Sequence, residues 1–156
     1  LGNLDSHGGW KAPDGTIYQG EAWDIPMEDR GNVRFMNCDA TGLCEIFEEG
    51  SLDTIYANFS DPWTKNGYAN RRLTHPDFLK RYLKLLVPGG KFCFKTDNVE
   101  LFDFSLESVE NEEGFELTFV SRDLHQSERA AENIMTEYER NFSEKGQVIY
   151  SAWVKF

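Results

Sequence analysis

Between Val33 and Val154 the apolar residues switch repeatedly between the two-residue period of a strand and the 3.6-residue period of a helix, which leaves few folds open to the chain. Val33-Arg34-Phe35-Met36 reads as a strand, Ala40 to Phe47 carries Leu43, Ile46 and Phe47 at helical spacing, and Asp53 to Phe59 reads as a second strand. A helix is predicted from Pro76 to Leu86, where Phe78, Leu79, Tyr82, Leu83 and Leu86 share a face, and Pro88-Gly89-Gly90 is expected to stop it. Lys91 to Lys95 alternates as a short strand. Asn98 to Val109 follows as helix, Phe115 to Val120 as strand, Ala130 to Asn141 as helix and Val148 to Val154 as a last strand. This rhythm predicts an α/β domain with a mostly parallel sheet, in which ligands gather beyond the carboxyl ends of the strands.

Residues 1 to 31 behave differently. Gly8-Gly9, Pro13-Asp14-Gly15 and Gly20 punctuate them, so they read as an atypical loop-rich segment with one short strand near Thr16 to Tyr18, ahead of a domain over residues 32 to 156. At 156 residues and 40% hydrophobic, the chain has enough apolar material for one core. No apolar run approaches a membrane span, and Leu1-Gly2-Asn3-Leu4-Asp5 lacks a signal-peptide pattern, so a soluble cytoplasmic protein is expected. The start without Met is expected to lie inside a longer reading frame. Cys38, Cys44 and Cys93 form no C-x-x-C pair and read as reduced, mostly buried thiols; His7, His75 and His125 lie far apart, so no metal is expected.

The most informative stretch is Asn58-Phe59-Ser60-Asp61-Pro62-Trp63, where the second strand should end. Asp61 is placed at the lip of the sheet, Pro62 fixes the backbone after it, and Trp63 offers a flat surface for a base or ring. The hexamer alone fits equally an Asp-Pro turn followed by a core Trp. The formal net charge of −11 argues against a nucleic-acid partner at whole-chain scale. Yet Lys65 to Lys95 holds eight Lys and Arg against the single Asp77, a formal +7 that leaves −18 elsewhere. Lys80, Arg81 and Lys84 read as a solvated helix face, whereas Lys65, Arg71 and Arg72 lie in a polar loop suited to a phosphate backbone. Three more clusters fall near strand ends: Cys38-Asp39-Ala40, Lys95-Thr96-Asp97-Asn98, and Ile134 to Glu139. Asp39 and Asp97 also stand where helix N-caps are expected, and Thr136-Glu137-Tyr138-Glu139 also fits a solvated helix.

Taken together, NFSDPW at 58–63, RRLTHPDFLKRY at 71–82, PGGKFCFKTDN at 88–98, LTFVSRDLH at 117–125 and IMTEYERNFSEKGQVIY at 134–150 resemble the bacterial tRNA (guanine-N7)-methyltransferases. The resemblance covers about four fifths of the chain, from Asn32 to Phe156. It implies a Rossmann-like class I methyltransferase sheet that uses S-adenosylmethionine to methylate guanine 46 of tRNA, in a monomer or homodimer. Asp61 is then the active-site carboxylate and a cofactor contact, and Asp39 a second cofactor contact. Lys65, Asp97, Thr136, Glu137, Tyr138 and Glu139 contact the substrate guanosine, and Arg71 and Arg72 position the tRNA backbone. Two departures stand out. The family has Pro and a more basic stretch after DPW, where this chain has Thr64 and Asn66-Gly67-Tyr68-Ala69-Asn70. The family's opening βαβ unit with its glycine-rich turn is expected before Asn32; Gly8-Gly9 is no substitute, and Glu21 is a weak match to that unit's second acid. A catalytically impaired tRNA-binding remnant is the alternative, and a small-molecule methyltransferase a third reading, disfavoured by the +7 segment.

Overall fold

The computed structural model describes residues 10–11, 17–18, 36–65 and 67–156. The chain forms two compact units, Leu1–Asp39 and Ala40–Phe156, so the division falls after Asp39, where the sequence pattern places it at residue 31. In the first unit, β1 (Trp10–Lys11) pairs antiparallel with β2 (Ile17–Tyr18), which is the short strand expected there. Val33 to Phe35 of the expected next strand lie outside the described residues, as do Gly8, Gly9, Thr16 and Glu21; Met36 is not in a strand.

The second unit opens with a 3₁₀ turn, Ala40–Gly42, running into a one-turn helix α1 (Leu43–Ile46). Then come β3 (Leu52–Asn58), a 3₁₀ turn at Ala69–Arg71, α2 (Pro76–Leu85), β4 (Leu86–Thr96), α3 (Val99–Glu110) and β5 (Glu116–Ser121). Two further 3₁₀ turns, Leu124–Gln126 and Ala130–Glu132, precede α4 (Glu137–Ser143) and β6 (Tyr150–Lys155). The sheet order is β3-β4-β6-β5. β3 and β4 pair parallel and β5 runs in their direction, while β6, between β4 and β5, is antiparallel to both neighbours, so the mostly parallel expectation is matched in part. β6 starts at the end where β5 finished and runs back beside it, with Ser121 opposite Ser151.

Local chemistry sets the helix starts. Nδ1 of His75 accepts the Asp77 N–H at 3.2 Å ahead of Pro76, and Asn98 Oδ1 accepts the Leu101 N–H at 2.8 Å. Asn98, not Asp97, thus caps α3. The cap of α1 itself is Gly42, without a side-chain bond. The helix expected from Ala130 begins only at Glu137, because Thr136 and Glu139 form a capping box that starts it there. Pro88-Gly89-Gly90 lies inside β4 instead of ending a helix. Gly90 fits because a Cβ there would stand 2.8 Å from the Val87 carbonyl oxygen.

Strand alternation divides the side chains between two faces. On one, Ile55, Ala57, Phe92, Phe94, Ala152 and Val154 pack with Phe78, Leu79 and Tyr82 of α2 and Phe102 and Val109 of α3. On the other, Phe119, Leu124 and Ile149 cluster with Phe59 and Trp153. Each fully buried aromatic or aliphatic side chain contributes on the order of 1.5–3 kcal/mol. Of the cysteines only Cys93 is buried; Cys38 and Cys44 are exposed, against expectation. Among the described residues, no helix is long and apolar enough to cross a membrane.

Candidate functional site

The parallel strands β3 and β4 end side by side at Asn58 and Thr96, and the loops that leave them carry Asp61 and Asp97. The first loop is tightly shaped. Phe59 and Trp63 both occupy the left-handed region, at φ +54° and +43°, which bulky side chains rarely enter. Such backbone persists only where the surroundings impose it, and it concentrates at functional sites. Here the Phe59 N–H donates to the Lys95 carbonyl at 2.8 Å, and the Trp63 N–H to Asp61 Oδ1 at 2.9 Å. Asp61 is exposed, and its second oxygen has no protein partner among the described residues.

Asp61, Trp63, Thr64, Lys65, Tyr68 and Arg71 line a cavity of about 330 Å³. The Arg71 guanidinium lies 4.9 Å from the Trp63 ring centre and 5.0 Å from that of Tyr68. Arg72 turns elsewhere: its Nε donates to the Pro62 carbonyl at 2.9 Å and its Nη2 to that of Trp63 at 3.4 Å.

Across the strand ends, Tyr138 joins the two loops. Its ring packs on Phe59 at 4.7 Å and its hydroxyl donates to Asp97 Oδ2 at 3.4 Å. Desolvation, followed by the Asp97 charge and hydrogen bond, raises the Tyr138 pKa, so the phenol is a protonated donor at neutral pH. Thr136 caps α4 with its side-chain oxygen, and Glu137 is exposed in the first turn.

Glu139 is fully buried. Its Oε2 accepts from Lys95 Nζ at 2.7 Å and the Thr136 N–H at 3.4 Å; its Oε1 meets His125 Nε2 and Asn133 Nδ2, each at 2.7 Å. Burial pushes the carboxyl upward, but the hydrogen bonds from Lys95, His125 and Asn133, with the Lys95 charge, outweigh it and hold the pKa below the ordinary value. Both oxygens are therefore committed to protein donors. Lys95 Nζ also donates to Asn133 Oδ1 and the Ile134 carbonyl, both at 3.0 Å, so the hub pins residues 133–139 against the end of β4.

The structure thus brings Asp61, Lys65 and Arg71 to one cavity and sets Asp97 beside Tyr138. Asp39 is exposed and is the last residue of the first unit. Sequence reasoning names His125 only in excluding a metal site and does not single out Asn133. The Thr136-x-x-Glu139 capping spacing was the available signal, since it turns Glu139 back toward its own helix start. Among the described residues, no group of three or more His, Cys, Asp or Glu is placed to hold a metal ion.

A family model described as "Putative methyltransferase" matches residues 21–152. A tRNA (guanine-N(7)-)-methyltransferase of Lactococcus lactis subsp. cremoris (strain MG1363) is 51% identical over 129 residues, which are 82% of this chain and 59% of that protein. One of Bacillus subtilis (strain 168) is 50% identical over 125 residues, 80% of this chain and 58% of its own. A solved SAM dependent methyltransferase from Archaeoglobus fulgidus aligns over 85% of this chain and 73% of that one, at 12% identity and a TM-score of 0.45. The chain spans just under three fifths of the length of the two bacterial relatives.

Proposed function

The chain belongs to the methyltransferase family whose model it matches, and from that premise we propose that it methylates N7 of a guanine in tRNA, position 46, with S-adenosylmethionine as donor. The observation that carries the reading is the Asp61 loop: an exposed carboxylate with one open oxygen, held by two left-handed aromatic residues over a cavity lined by Lys65 and Arg71. A cytoplasmic protein acting on tRNA, as monomer or homodimer, fits this reading.

The donor's amino-acid end carries an ammonium, and the open oxygen of Asp61 fits it. When bound, the donor supplies a sulfonium methyl, whose transfer to N7 leaves the bond pair on sulfur. Guanine N7 has an in-plane lone pair and no proton at neutral pH, so these residues need supply no general base. Their work is alignment, an effect worth on the order of 7–11 kcal/mol. Asp97, oriented by the Tyr138 hydroxyl, accepts from the guanine N1–H and exocyclic amine, while Asp61 offsets the charge that grows on the purine. Lys65 and Arg71 hold the phosphate backbone, and Thr136 and Glu137 flank the base. Glu139, with its oxygens committed, positions Thr136 and Tyr138.

Asp61→Asn is expected to lower methyl incorporation into tRNA by orders of magnitude, and near-normal turnover would remove Asp61 from this role. A second reading, a tRNA-binding chain that does not take the donor, rests on the +7 segment between Lys65 and Lys95 alone. Calorimetric titration with S-adenosylmethionine separates the two: heat of binding supports the enzyme, and none supports the binding chain.

A further inference from the structure

We propose that Arg72 is a positioning residue that braces the Asp61 loop from behind, rather than a contact to the RNA backbone. Only the purpose of the loop rests on the function proposed above; the brace stands on the geometry of the chain itself. Arg71 and Arg72 are adjacent, yet they do opposite things. Arg71 ends a 3₁₀ turn, is exposed, and faces the cavity between Trp63 and Tyr68. Arg72 is extended, at φ −65° and ψ 132°, which sends its side chain away from that turn.

There the guanidinium is held on two sides. Its edge donates to the carbonyls of Pro62 and Trp63, at 2.9 and 3.4 Å, and its face lies 4.4 Å from the ring centre of Phe104 in α3. The loop needs such a hold. Trp63 sits at φ +43°, and its N–H is already fixed by Asp61 Oδ1 at 2.9 Å. With the N–H tied to the Asp61 carboxylate and the carbonyls tied to Arg72, the peptides between Pro62 and Thr64 are pinned from both sides. That leaves one Asp61 oxygen aimed outward. Phe104 extends the connection, because α3 begins immediately after Asp97-Asn98, so the brace couples the two acid-bearing loops through one helix. Phe104 is itself stacked on His75, the cap of α2, with ring centres 6.4 Å apart. Lysine does not replace it, since an ammonium lacks the planar fork that donates along one edge while its face lies flat on a ring. A phosphate contact, by contrast, tolerates lysine.

The test uses the full chain with Arg72→Lys, Arg72→Ala, Phe104→Leu and Arg71→Ala, and reads two quantities. One is amide hydrogen exchange at Trp63; the other is the salt dependence of affinity for an unmodified tRNA transcript. Arg72→Lys should speed Trp63 exchange about tenfold, the effect of losing one charge-assisted hydrogen bond, and Phe104→Leu, which removes the ring under the guanidinium, about threefold. They should weaken tRNA binding by a constant factor at every salt concentration. Arg71→Ala should leave Trp63 exchange unchanged and lower the slope of log affinity against log salt by about 0.7–0.9, one phosphate contact. Wild-type exchange in Arg72→Lys, or a slope lowered by that amount in Arg72→Ala, overturns the brace. Failure of the unaltered chain to bind tRNA overturns the proposed function instead, and the exchange measurement still decides the brace.

Discussion

Glu139 shows how one buried side chain can organise the end of a sheet. It is buried with Lys95, whose own side chain is only 11% exposed, and their partnership spans 44 residues of sequence. Glu139→Ala strands the ammonium and should cost on the order of 3–5 kcal/mol, read as a lower urea midpoint. The pH dependence has a defined sign. Because the folded pKa is depressed, Glu139 contributes stability that is fully present above the unfolded glutamate pKa, about 4.3, and is lost as pH falls through the folded value. Glu139→Gln should therefore flatten the acid limb of the stability profile between about pH 5 and lower pH, and an unchanged limb would contradict the hub. At this scale the position of Asp61 just beyond a strand end is legible, because an acid before Pro-Trp after an apolar run announces itself locally. The hub was not, since Lys95, His125 and Glu139 meet only after the strands pair.

Elements were legible where their chemistry was local. α2 runs from Pro76 to Leu85 as its apolar face and His75-Pro76 start dictate. The segment from Ala130 was misjudged because residues that tolerate a helix are overridden by the capping box at Thr136. Thr136→Ala should accordingly cost about 1 kcal/mol and speed amide exchange in the first turn of α4; unchanged exchange there would count against the box. Pro88-Gly89-Gly90 looked like a helix stop, yet it is where β4 passes closely under its own start. Gly90→Ala should destabilise by about 1–3 kcal/mol, since a Cβ would meet the Val87 and Asp53 carbonyl oxygens at 2.8 and 3.2 Å. A urea midpoint equal to that of the unaltered chain would show that the strand can shift to make room.

For the whole molecule, charge and topology each mislead when averaged. The net −11 conceals a +7 segment between Lys65 and Lys95, so tRNA affinity should fall steeply with salt despite an acidic chain. The alternating rhythm identifies an α/β sheet, but strand direction depends on where each connection returns, and the reversed β6 is not marked by any periodicity of its own. The central claim is that this sheet end presents Asp61 to a guanine in tRNA for methylation at N7. Its most direct test is nucleoside mass spectrometry of unmodified tRNA incubated with the chain and S-adenosylmethionine. The account predicts 7-methylguanosine with the unaltered chain and at least about a hundredfold less with Asp61→Asn, a loss of about 2.7 kcal/mol of transition-state stabilisation. Equal 7-methylguanosine from both proteins, or none from a chain that binds the donor, would contradict it.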